Sequence, residues 1–142
     1  MDRRERGSRR KLDVALIGTL GLTGVAMGLL TALVGLPPGV EPWVWMAAYA
    51  LWVVVIAGRR EARPFVTVLL ASVVTGLLTG LVQGLLQQRY IASNPWYAAD
   101  FAGLGSGLVL GLQFVGFGVV MGSLFGVAVG LVAVIVARVR GR

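Results

Sequence analysis

The chain has 142 residues, of which 57% are hydrophobic and only 13% charged, where a soluble domain carries about 25% charged residues. Cys and His are both absent, so thiolate chemistry, disulfides, and zinc or haem held by imidazole are excluded from this chain's own residues. The net charge of +7 is gathered at the ends of apolar runs. It reads as topology control against anionic headgroups, and nucleic acid is not expected as a partner.

Residues 1–13 form a basic terminus with Arg3, Arg4, Arg6, Arg9, Arg10 and Lys11. The next run, 14–36, is free of charge and exceeds the roughly 20 residues that a membrane helix needs. A cleaved leader has a similar basic start, but its apolar core is about 7–15 residues and closes on an A-x-A-like site. None closes this run, so it is expected to be a true first membrane helix. Gly21, Gly24, Gly28, Thr31 and Gly35 share a narrow arc at helical spacing, which makes a face for close packing.

Pro37, Pro38 and Gly39 stop that helix, and Glu41-Pro42 suits the start of the next. The second span is placed at 43–57. Its Trp45, Tyr49, Trp52 and Ile56 form a bulky stripe, expected to touch lipid or pack as a ridge; a pigment or quinone wall is the other reading. A basic hairpin with Arg59, Arg60 and Arg63 leads to the third span, 65–87. Ser72, Gly76, Gly80 and Gly84 make a four-step ladder of small residues there, again a packing signal. Thr75, Thr79 and Gln83 lie beside it.

The longest connection follows. Asn94-Pro95 is a helix-start signal, a capping side chain ahead of a first-turn proline. The segment 94–103 is therefore expected to be a short interfacial helix carrying Trp96, Tyr97 and Phe101 on one side, along the outer headgroups or against a partner. From Gly103 to Arg142 the chain reads as one long helix, with the fourth span at 106–137. Its glycines fall four apart, at Gly107 and Gly111 and then at Gly118, Gly122, Gly126 and Gly130. Each glycine in a helix costs roughly 1 kcal/mol against alanine in water, whereas in lipid it lets a second helix come close.

The fold expected is all-α, an integral membrane bundle of four transmembrane helices with a short interfacial helix between the third and fourth. Every basic residue except Arg89 falls on the side of the two termini, so both termini are expected to be cytoplasmic, in a bacterial inner membrane. The four runs carry no Asp, Glu, Lys or Arg, whereas ion-coupled carriers hold such a group at mid-membrane. A base, a thiol or a carboxylate pair for catalysis is equally missing, so no enzyme and no cofactor are expected, bound lipid apart.

The layout from Tyr49 through Gly58-Arg59-Arg60 to Tyr90-Ile91-Ala92-Ser93-Asn94-Pro95-Trp96-Tyr97, with the Gly126–Arg140 ending, resembles small four-helix bacterial membrane proteins classed as a domain of unknown function. That resemblance implies no activity and no site.

The residues thus point to a non-catalytic accessory subunit of a membrane complex. Gly24, Gly28, Gly76, Gly80, Gly84, Gly118, Gly122 and Gly126 would pack helices. Trp96, Tyr97 and Phe101 would meet other membrane subunits or a second copy, and the basic clusters would meet anionic lipid at the cytoplasmic face. Two other classes stay open: a homo-oligomeric channel for a small neutral solute lined by Ser72, Thr75, Thr79, Gln83 and Gln113, and a scaffold that binds lipid or a cofactor along the Trp45 stripe.

Overall fold

The computed structural model describes residues 12–59 and 61–140. The basic residues at 3–11, Arg60 and Arg142, given a topological role above, lie outside that range. All regular structure in the described residues is helical, and four stretches are long and apolar enough to cross a membrane.

The first span is made of α1 (Val14–Gly21) and α2 (Thr23–Leu33). Asp13 starts it, its Oδ1 accepting the Leu16 amide at 2.9 Å and satisfying one of the orphan donors of a helix start. Leu22 keeps right-handed angles and its carbonyl accepts the Val25 amide at 3.0 Å, so one tightened turn joins α1 to α2. The span ends at Leu33, before the expected residue 36. Gly35 takes a φ of +76°, a left-handed turn that glycine adopts without a Cβ penalty, and Leu36 precedes a proline, which disfavours helix.

α3 (Glu41–Gly58) begins two residues ahead of the expected position, with Pro42 in its first turn. α4 (Pro64–Leu85) stops short of residue 87 because Leu86 leaves helical angles. A helix not expected from the sequence, α5 (Gln87–Ser93), follows at once. The connection beyond it is a single 3₁₀ turn at Pro95–Tyr97 and the one-turn α6 (Ala98–Phe101), not one continuous helix over 94–103. α7 (Leu108–Arg140) then runs unbroken for 33 residues, roughly 50 Å at 1.5 Å per residue. It starts later than Gly103 because Gly103, Gly105 and Gly107 all have positive φ, and those three glycines shape a loop.

α4 is the hub. It lies antiparallel to α7 along one face and against α1 and α2 along another, while α3 packs mainly on α7. The core has two clusters. Near the end that holds Val14 and Gly58, Leu16, Ile17, Leu20, Tyr49, Trp52, Ile56, Val68, Ala71 and Ala133 pack together. Near the other end Ala32, Tyr90, Leu110 and Phe114 do so. Most of the stripe on α3 is thus a packed ridge inside the protein: Tyr49, Trp52 and Ile56 are buried and Trp45 is partly so. Tyr49 meets Trp52 edge-on at 5.2 Å and stacks on Phe125 at 5.9 Å, arrangements that favour aromatic pairs beyond their area alone.

Candidate functional site

Three constructions hold most of the residues singled out by the sequence. The first is the seam between α4 and α7. Reading down α4, Gly84 faces Gly111, Gly80 faces the Phe114 carbonyl, Gly76 faces Gly118 and the Ser72 carbonyl faces Gly122; Gly126 then meets Leu69, and Gly130 meets Phe65. Residue numbers fall on one helix as they rise on the other, so the two four-residue ladders stay in register over the length of α4. At the centre of the seam the contact is backbone on backbone. A Cβ on Gly76 would strike the Gly118 carbonyl, and one on Gly118 the Gly76 carbonyl. Ser72 is fully buried in this seam, and among the described residues no hydrogen bond to its hydroxyl meets the distance and angle of a good bond.

The second construction is a ladder of polar side chains between α4 and the first span. The Thr75 hydroxyl donates to the Gly21 carbonyl at 3.4 Å, and the Thr79 hydroxyl to the Gly24 carbonyl at 3.0 Å. Gln83 Nε2 donates to Thr31 Oγ1 at 2.9 Å, and Thr31 in turn donates to the Met27 carbonyl at 2.8 Å. On the α3 side, Trp52 Nε1 donates to Thr23 Oγ1 at 3.3 Å. Gly24 sits against the Thr75 carbonyl, and Gly28 against Val82 and the Thr79 carbonyl, so the helices come close enough for short side chains to reach across. Gln113 is exposed on α7 and takes no part in this ladder. Replacing Gln83 by Leu is expected to cost about 1 kcal/mol, read as a lower midpoint on unfolding in mixed detergent, with the fold retained.

The third is a knot where α2 ends. The last four carbonyls of a helix have no partner within it. Here Leu30 O accepts the Val34 and Gly35 amides, Thr31 O accepts Asn94 Nδ2 at 2.8 Å, and Leu33 O accepts the Ser93 hydroxyl at 3.4 Å. Asn94 is 1% exposed. Its Nδ2 also donates to Tyr90 O at 2.7 Å, and its Oδ1 accepts the Leu36 amide at 3.2 Å. The sequence reads Asn94 as the cap of the helix that follows. Its side chain instead closes the helix it packs against, and no side-chain cap bond forms at Pro95. Gly35 completes the knot, since a Cβ there would strike the Ser93 carbonyl.

Trp96, Tyr97 and Phe101 are parted by this arrangement. Tyr97 donates to Glu41 Oε2 at 3.4 Å, and Glu41 Oε1 accepts Trp45 Nε1 at 3.4 Å. Phe101 turns inward, 5.8 Å from the Tyr90 ring and 5.3 Å from the Phe114 ring. Trp96 alone of the three is exposed, at 41%. Burial, followed by the nearby Glu41 charge, holds the Tyr97 and Tyr90 hydroxyls above the ordinary phenol value.

No family model, no curated protein and no solved structure matches this chain. The likeness of layout noted from the sequence therefore adds nothing to the geometry. Among the described residues no three Asp or Glu side chains gather as metal ligands would. What the arrangement does chemically is to satisfy backbone and amide groups and to bring helices into contact.

Proposed function

We propose that this chain is a non-catalytic subunit of a larger membrane complex. It would span a bacterial cytoplasmic membrane four times, with both termini in the cytoplasm by the positive-inside rule. The observation that carries this reading is where the polar groups of the helices go. Thr75, Thr79, Gln83 and Thr31 all bond to the chain's own helices, while α3 and α7 keep most of their surface outside, including Trp43, Met46, Leu112, Phe117 and Leu124. The glycine faces serve the internal seams, so a partner would meet the bulky outward sides of α3 and α7 and the exposed Trp96.

Flux through the purified chain in lipid vesicles separates this reading from a channel. Efflux of glycerol or urea is expected at the rate of protein-free vesicles. A rate clearly above that, lost in Gln83→Leu, would replace the subunit reading with the channel. Orientation is tested by single cysteines at Arg59 and Arg89, in a chain with none of its own. An impermeant maleimide added outside intact cells should label position 89 and spare position 59; the reverse pattern would overturn the assigned orientation.

A further inference from the structure

We infer that the cleft where α4 turns into α5 binds the headgroup of one anionic phospholipid, with Arg89 on its phosphate. The inference rests on the membrane reading above. The cleft has a volume of about 510 Å³ and is lined by Leu85, Leu86, Gln87, Gln88, Arg89 and Ala92. That lies within the ~300–1,000 Å³ of small-molecule sites, and the cleft is open on its outer side, so it can seat a headgroup without enclosing it.

The lining is divided. Leu85, 83% exposed, together with Leu86 and Ala92 offers an apolar wall. Gln88 and Arg89, both exposed, supply the donors. Gln87 is held from behind, its Nε2 donating to the Gly107 carbonyl at 3.1 Å. The lining contains no carboxylate, and no ion pair to Arg89 forms among the described residues. A guanidinium presents a planar fork of donors that matches phosphate, and it is always charged, so it attracts an anionic headgroup on either face of a membrane. A free phosphate would use only the polar wall. An amphiphile uses both, with its head on Gln88 and Arg89 and its chain along Leu85. Arg89 is also the one basic residue that the sequence places away from the two terminal-side clusters, so its position is not accounted for by the charge bias that sets orientation.

The test uses the full chain in nanodiscs and a phosphatidylglycerol with a diazirine on its acyl chain, the labelled peptides being mapped by mass spectrometry. Label is expected on residues 85–92. It should fall at least several-fold in Arg89→Gln, persist in part in Arg89→Lys, and be displaced by excess phosphatidylglycerol but not by phosphatidylcholine or millimolar inorganic phosphate. Label on the spans that spares 85–92, that is unchanged in Arg89→Gln, or that phosphatidylcholine displaces equally well overturns the inference and leaves the membrane reading intact. Displacement by inorganic phosphate overturns the lipid assignment in favour of a free anion. Absence of label from all four spans removes the membrane reading and this inference with it.

Discussion

Gly76→Leu is expected to abolish the folded state, with a loss of about 3 kcal/mol or more from overpacking. No rotamer relieves the clash, because the first carbon of any side chain at Gly76 already meets the Gly118 carbonyl and backbone. The neighbour is not a flexible side chain that can swing away. It is the main chain of α7, fixed in register by contacts that continue to Gly84 at one end and Phe65 at the other. Gly76→Ala should already be destabilising, and Gly122→Leu should act like Gly76→Leu, since the Ser72 carbonyl blocks that position in the same way. Gly116 is the control. Among the described residues nothing lies within 4 Å of a Cβ built there, so Gly116→Ala should be neutral or stabilising by up to about 1 kcal/mol through helix propensity. Unfolding of the four variants in one series of mixed detergents checks the contrast. Equal behaviour of Gly76→Ala and Gly116→Ala would show that α4 and α7 do not touch.

Asn94→Ala comes second, with an expected cost of about 3 kcal/mol. The change removes three hydrogen bonds at a buried position. It strands the Leu36 amide and the Thr31 carbonyl, and an unsatisfied buried group costs about 1–3 kcal/mol. Asn94→Asp should not rescue. It keeps an acceptor for Leu36 but sets a second oxygen, 2.7–2.8 Å away, against the Thr31 and Tyr90 carbonyls, and it buries a charge. Because the knot ties the end of α2 to α5, its loss should appear first as faster hydrogen exchange at Leu36 and the residues before it. Wild-type exchange at Leu36 in Asn94→Ala would show that this side chain does not hold the turn.

The four long apolar helices could be read from the sequence because charge and apolar length are local properties. Each glycine ladder could also be read along its own helix. The pairing of the ladders could not, because three helices carry small residues at similar spacing and nothing in the spacing says that α4 takes α7 on one face and α2 on another. Gly103, Gly105 and Gly107 show a further limit. The same letter serves close approach in a helix and a left-handed turn outside it, and here it does the second. Asn94-Pro95 misled for a related reason: a capping residue in sequence can cap whatever helix end lies near it in space. The Trp45 stripe showed a face but not its neighbour, and tertiary packing placed most of it inside.

The most direct measurement of the subunit reading is the composition of the particle that carries this chain when it is extracted in mild detergent at native expression. The expected result is a particle larger than one chain in its micelle, holding at least one other membrane polypeptide at a fixed ratio, with the ratio unchanged on dilution. A monodisperse single chain, stable and without any companion, would contradict it.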